Sequence, residues 1–207
     1  MSHRLGVLIS GRGSNLQSIV DAIRRGELQA DIAVVISNRQ AAAGLMRARE
    51  AGLETVCVLQ KDYASRELYD AAVVRVLQAH GVDLVCLAGF MRLIGEPLLA
   101  AFPNRILNIH PSLLPAFPGL DAQRQALEHG VRVTGATVHL VDSELDSGAI
   151  VLQAAVPVLD ADTVESLSAR ILVEEHRLYP RAIARMFDGK WRLVGRRFVV
   201  DAAAASA

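Results

Sequence analysis

Five short apolar runs, separated by helical stretches, fill the first half of the chain, and this alternation limits the fold more than any other feature. Leu5–Ser10, Asp31–Ser37, Thr55–Leu59, Leu84–Ala88 and Arg105–Ile109 each read as a short buried strand. The helix after the first strand carries Leu16, Ile19, Val20 and Ile23 at helical spacing. A second helix is expected over Gly44–Ala51, closed by Gly52. A longer one is expected from about Ser65 to His80, with Leu68, Ala72, Val73, Val76 and Leu77 on one face and Gly81 as its stop. Strands that alternate with helices imply a parallel sheet with right-handed crossovers. Ligands of such sheets sit beyond the carboxyl ends of the strands, where the strand order reverses. Ser10, Ala88 and His110 lie at such ends.

The pattern changes after His110. A short helix, roughly Ala122–Glu128, precedes two strands, Val133–Val141 and Ala149–Val156, expected as a hairpin or as neighbours extending the sheet edge. Asp162-Thr163-Val164-Glu165 has the form of a capping box that opens a long helix. Pro180 is expected to kink or split that helix before Gly189 ends it. Trp191–Val200 is expected to form a weak hairpin, and Asp201–Ala207 to lack structure. The fold class is therefore α/β, one Rossmann-like domain. Its central sheet is mostly parallel, with helices on both faces and an antiparallel extension. The catalytic domain is placed at residues 1–190 and a C-terminal extension at 191–207.

Composition sets bounds on partners. With 207 residues, 52% of them hydrophobic, the chain has ample material for one core. A formal net charge of zero argues against electrostatic capture of nucleic acid or anionic membrane. No apolar stretch is long enough to span a bilayer and no signal-peptide pattern is visible, so a soluble cytoplasmic protein is expected. Cys57 and Cys86 sit inside apolar runs without metal spacing. They read as small core hydrophobes, and no metal site is expected.

Three stretches carry chemistry. In Ser10-Gly11-Arg12-Gly13-Ser14-Asn15, glycines between a strand and a helix let the backbone approach an anion, with the helix N-terminus aimed at it. The loop matches a dinucleotide fingerprint only in part. Leu16 stands where the third glycine belongs, and the second strand ends Ser37-Asn38-Arg39 without the acid that binds an NAD ribose. Arg39 could still face the 2′-phosphate of NADP. The second stretch is Asn108-Ile109-His110-Pro111-Ser112-Leu113-Leu114-Pro115, where a strand delivers an amide and an imidazole onto a proline-stiffened loop. Alternation puts Asn108 and His110 on one side, and Pro111 favours an extended His110. The third is Gly135–Gly148. There His139 alone reads as a structural histidine and Asp146 alone as a turn residue. Beside His110, however, a carboxylate would raise the imidazole pKa, and Asn108 could bond a developing oxyanion. Ser112 lacks the glycine elbow of a serine nucleophile. Asn, His and Asp without a placed nucleophile suggest direct acyl-type transfer through a tetrahedral intermediate.

Ser10–Asn15, Leu87-Ala88-Gly89-Phe90-Met91-Arg92, Asn108–Pro115 and Gly135–Gly148 together resemble the phosphoribosylglycinamide formyltransferases, within the wider folate-dependent formyltransferase family. The likeness runs from about Leu5 to Gly189. It implies transfer of a formyl group from 10-formyltetrahydrofolate to the amine of 5-phosphoribosylglycinamide. His110 would be the general acid, Asn108 its partner on the oxyanion, and Asp146 the group that keeps His110 protonated. Gly13, Ser14 and Asn15 would bind the ribonucleotide phosphate and Glu175 its ribose or glycinamide side. The folate would lie along Met91, Arg92, Leu93 and Ile94, beside Asn108, and along Asp142, Ser143, Glu144, Leu145 and Asp146, with Arg66 near its tail. Both small molecules are the expected partners, with neither nucleic acid nor membrane, and a homodimer is compatible with the sequence.

Departures from the family pattern are local. Relatives often carry histidines where this chain has Asp121 and Gln123, and many have a lysine in place of Ala116. Two other readings remain. A formyltetrahydrofolate hydrolase shares the Asn/His/Asp centre but adds an N-terminal regulatory domain, whereas this sequence starts at its first strand. A non-catalytic NADP-binding module explains the first loop and leaves Asn108, His110 and Asp146 without a purpose.

Overall fold

The computed structural model describes residues 2–201. In chain order its elements are β1 (His3–Ile9), α1 (Ser14–Arg24), β2 (Ala30–Ser37), α2 (Ala43–Glu50), β3 (Thr55–Cys57), a 3₁₀ turn at Gln60–Asp62, α3 (Arg66–Ala79), β4 (Leu84–Leu87), α4 (Glu96–Ala101), β5 (Ile106–His110), α5 (Ala122–His129), β6 (Val133–Leu140), β7 (Ile150–Pro157), α6 (Val164–Phe187), β8 (Trp191–Val194) and β9 (Arg197–Val200). One sheet contains the strands in the order β3-β2-β1-β4-β5-β6-β7-β9-β8. Pairing is parallel from β3 to β5 and antiparallel from β5 to β7. The result is the expected α/β sheet with its antiparallel extension.

Both faces of the parallel strands are covered, so their sequences read as nearly continuous apolar runs. On one face Leu5, Val7 and Ile9 of β1 pack with Leu16 and Ile19 of α1 and with Ile171, Tyr179 and Ile183 of α6. On the other, Leu8, Val34 and Val85 pack with Tyr69, Val73 and Leu77 of α3 and with Leu98 of α4. The strand order reverses between β1 and β4, with crossovers leaving to opposite faces, and a crevice opens there at the carboxyl ends of the strands.

Several expectations need correction. Pro180 does not split α6, which continues as one helix to Phe187. The proline removes one N–H from the helix ladder, but Leu178, Tyr179, Ala182, Ile183 and Met186 around it are all buried, and their packing holds both sides in register. The capping box is shifted by one residue. Thr163 accepts from the Ser166 N–H while the Ser166 hydroxyl accepts from the Thr163 N–H. Asp162 instead receives both terminal nitrogens of Arg170. Cys57 is exposed, because β3 is a three-residue edge strand, whereas Cys86 is buried as expected. Helix α4 has no counterpart among the elements expected from the sequence. Trp191–Val200 does form a hairpin, which joins the sheet through β7 and β9. Asp201 is tied to it by an N–H bond to the Lys190 carbonyl of 2.8 Å. The remainder of the tail expected to lack structure, residues 202–207, lies outside the described residues. No described helix is long and apolar enough to cross a membrane.

Tyr179 fastens α6 beneath the crevice. Its fully buried hydroxyl faces the carbonyls of Leu87 and Leu107, each at 3.1 Å, at the end of β4 and near the start of β5. Tyr179→Phe leaves those carbonyls without that donor. It should cost about 1–3 kcal/mol of stability in urea unfolding. A variant as stable as the parent would show that the hydroxyl bridges nothing of consequence.

Candidate active site

β5 and β6 are the elements that build the centre. In their antiparallel register Asn108 lies opposite His139 and His110 opposite Thr137. The side chains of Asn108 and His110 emerge on one side of β5, as strand alternation requires, and meet those of the neighbouring strand. Asn108 Nδ2 is 3.1 Å from His139 Nε2, while His139 Nδ1 is 2.9 Å from the Leu140 carbonyl. With the ring proton on Nδ1 the carbonyl accepts it and Nε2 accepts from the amide; with Nε2 protonated that N–H faces the carboxylate of Asp146, and in either case one Asn108 N–H is left for another acceptor.

Asp146 arrives from the loop between β6 and β7. One carboxylate oxygen is 3.4 Å from His110 Nδ1 and the other is 3.7 Å from His139 Nε2. Gly119 N–H donates to it at 2.8 Å. The loop conformation is specific. Asp146 has φ 50°, and a Cβ at Gly148 would fall 1.9 Å from the Leu140 carbonyl, so only glycine fits there. His139, assigned a structural role from its strand pattern alone, stands inside the cluster. The missing signal was register: cross-strand pairing with Asn108 cannot be counted from spacing.

Burial dominates the electrostatics of His110. The residue is 4% exposed. Desolvation pushes its pKa below the ordinary imidazole value, against the opposing pull of the Phe117 carbonyl and the Asp146 carboxylate. The expectation that Asp146 raises the pKa has the right sign for that one interaction, but burial outweighs it. For Asp146 the balance is reversed. Burial alone would raise its pKa, yet His139, the Gly119 N–H and His110 together hold it below the usual carboxylate range. His110 Nε2 donates to the Phe117 carbonyl at 2.8 Å, so the loop after Pro111 currently covers the proton most suited to transfer.

That loop is held by hydrogen bonds. Thr137 Oγ1 donates to the Ser112 carbonyl and accepts from the Leu114 N–H and from Gln153 Nε2. The same Gln153 nitrogen donates to the Leu114 carbonyl. Thr137 and Gln153 therefore aim the proline loop, and neither was singled out from the sequence. Ser112 is fully buried, its hydroxyl committed to the Ala116 carbonyl at 2.5 Å, which removes it as a nucleophile. Asp121 caps α5 at φ 55°, a conformation that Asp tolerates better than most residues.

A second cluster forms at the end of β1. Gly13, at φ 72°, is the N-cap of α1, and no side chain caps that helix. Its first N–H groups, those of Ser14 and Asn15 among them, therefore point toward any anion placed there. Gly13 lies so close to Gly44 that a Cβ would fall 2.7 Å from the Gly44 Cα, and Gly44 N–H donates to the Gly11 carbonyl. Asn15 Nδ2 donates to Glu175 Oε2 of α6 at 2.7 Å. Glu175 is 8% exposed, and burial pushes its carboxyl pKa up against that bond. Asn15 Oδ1 has no partner among the described residues.

Met91–Ile94 follow β4 on the same edge of the sheet. Met91 N–H donates to the Ser10 hydroxyl at 2.8 Å, and that hydroxyl donates to Asn38 Oδ1 at 2.7 Å. Met91 and Leu93 are exposed, as is Leu145 on the Asp146 loop. Arg92 lies over the Tyr69 ring and donates to Gln60. Ile94 packs against the second core, while Arg66 is exposed at the start of α3. Asp142, Ser143 and Glu144 are exposed, and Asp142 Oδ1 accepts from the Glu144 N–H. Among the described residues no group of three or more His, Cys, Asp and Glu is arranged to hold a metal ion.

Comparison with known proteins adds a lineage to this geometry. Residues 3–183 match the family described as formyl transferase. The trifunctional purine biosynthetic protein adenosine-3 of Drosophila melanogaster is 50% identical over 188 residues. This covers 90% of the present chain, which spans 14% of that protein's length. Phosphoribosylglycinamide formyltransferase of Escherichia coli (strain K12) is 43% identical over 187 residues, 90% of this chain and 88% of that one. The crystal structure of glycinamide ribonucleotide transformylase 1 from Symbiobacterium toebii matches with a TM-score of 0.95 at 60% identity, covering 96% of this chain and 94% of that one.

The burial of His110 has a measurable consequence. Its imidazole resonances should titrate below the ordinary value of 6.5 in the ligand-free protein, and lower still in Asp146→Asn, where the opposing carboxylate charge is gone. A midpoint above 6.5, or an upward shift in the variant, would contradict this electrostatic reading.

Proposed function

The chain belongs to the formyl transferase family, and we propose from that premise that it moves the formyl group of 10-formyltetrahydrofolate to the amine of 5-phosphoribosylglycinamide in purine biosynthesis. The observation that carries the reading is the convergence of Asn108, His110 and Asp146 at the mouth of β5, on the same edge of the sheet as an uncapped helix N-terminus suited to a phosphate. The phosphate would sit on the Gly13, Ser14 and Asn15 backbone, with Glu175 behind it toward the ribose and glycinamide. Exposed Met91, Leu93 and Leu145 offer an apolar seat for the aromatic part of the folate. Ile94, Asp142, Ser143 and Glu144 border that seat, and Arg92 and Arg66 are cations for its acidic tail.

The nucleophile is already present in the substrate as a neutral amine, so the protein's work is to orient, polarise and transfer protons. The amine nitrogen bonds to the formyl carbon and the carbonyl oxygen becomes an alkoxide. The free Asn108 N–H and a His110 N–H meet that charge in a site from which water is largely excluded. The proton offered by His110 is the one now held by the Phe117 carbonyl, so bound substrate must displace that contact. Collapse of the intermediate breaks the bond to folate N10, which takes a proton as the ammonium formed in the attack loses one. Asp146 stabilises the imidazolium that forms during this exchange and, with ordered water, passes the proton on. A hydrolase would run the same chemistry on water, but it has no use for the phosphate-suited loop or for Glu175 beside it.

Two substitutions test these roles. His110→Ala and Asp146→Asn should each lower kcat by roughly 10²–10⁴-fold, while KM for the ribonucleotide changes little. The assay follows consumption of 10-formyltetrahydrofolate with the ribonucleotide present. Near-normal turnover in either variant would refute the assigned role.

A further inference from the structure

The C-terminal hairpin takes no part in the chemistry above, yet one of its side chains reaches the loop that carries Asp146. Gly195, at φ 60°, starts the two-residue turn between β8 and β9, and Arg196 completes it. Arg196 Nη2 donates to the backbone carbonyl of Ser147 and also to the Ser147 hydroxyl, the latter at 3.0 Å. Ser147 follows Asp146 directly. The pairing of Ile150 with Arg197 sets the hairpin against the exit of the same loop, which brings the turn within reach.

The Gly119 N–H holds the Asp146 carboxylate but not the backbone that carries it. The loop's own hydrogen bonds, Glu144 N–H to Asp142 and Ser147 hydroxyl to Glu144, join its residues to one another and fix nothing relative to the sheet. Asp146 holds a positive φ that a non-glycine residue adopts at a cost, and such a conformation persists where the surroundings over-determine it. Gly148 is pinned behind it by its close approach to the Leu140 carbonyl. The Arg196 guanidinium fixes the peptide between these two points. Planar and always charged, it makes a directional donor even at an exposed position.

We propose that Arg196 is a positioning residue for Asp146, so that the C-terminal hairpin is a brace for the catalytic loop. This rests on the formyl-transfer reading, since it is the alignment of Asp146 with His110 that the brace serves. Misplacing a catalytic group by about 1 Å is enough to slow a reaction substantially.

The test uses the full chain with both substrates. Arg196→Ala should lower kcat on the order of 10-fold, leave KM for the ribonucleotide within about twofold, and leave the melting temperature unchanged, because the side chain is exposed. Arg196→Lys, which can still donate to both Ser147 acceptors, should recover most of the rate. Ser147→Ala, which removes one acceptor of the two, should fall between the parent and Arg196→Ala. Parent-like kcat in Arg196→Ala overturns the inference and leaves the function standing. So does a loss that appears in KM or melting temperature and that lysine fails to restore. A parent chain that transfers no formyl group overturns both.

Discussion

Asp146 is a carboxylate with 9% of its side chain exposed, set between two imidazoles, and three distant parts of the chain converge to keep it there. β5 and β6 supply His110 and His139 through their register, and the turn after Pro118 supplies the Gly119 N–H. The hairpin beyond α6 holds the following peptide through Arg196. Moving a charge into such a place is unfavourable unless donors meet it. Here the surrounding groups more than offset burial and hold the carboxyl below its usual range, with its charge 3.4 Å from the His110 ring. The burial that depresses His110 also strengthens every interaction the ring makes with a developing charge.

The parallel half of the sheet carries the two segments suited to ligands. At the reversal between β1 and β4, the Ser10 hydroxyl ties the end of β1 to Asn38 and to the Met91 N–H. The loop suited to phosphate and the segment suited to folate are thus joined by one buried hydroxyl. On the opposite face Tyr179 closes the seam between β4 and β5, and four residues before it Glu175 meets Asn15. A single helix, α6, therefore contacts both the strands beneath the His110 cluster and the uncapped N-terminus of α1.

Much of this was legible in the chain of residues. The period of apolar runs predicted the alternating elements, and strand alternation put Asn108 and His110 on one side. The glycines around Arg12 predicted a backbone open to an anion. What escaped were features that depend on which strands become neighbours. His139 faces Asn108 because β6 runs antiparallel to β5, and no spacing along the sequence encodes that. Thr137 and Gln153 aim the proline loop through bonds spanning 16 to 39 residues. The net direction of the His110 pKa depends on enclosure by the loop that folds back over it, which only the folded chain provides. The bond from Arg196 to Ser147 joins residues 49 apart, and only the placement of the hairpin against β7 brings them together.

The central claim is that the formyl group passes directly to an amine held by the phosphate-suited loop. The most direct measurement follows the fate of the formyl carbon. With the carbonyl of 10-formyltetrahydrofolate labelled with carbon-13, the account predicts that NMR shows the label on the glycinamide nitrogen of the ribonucleotide, and only when the ribonucleotide is present. Label released as formate at the same rate without the ribonucleotide would contradict it.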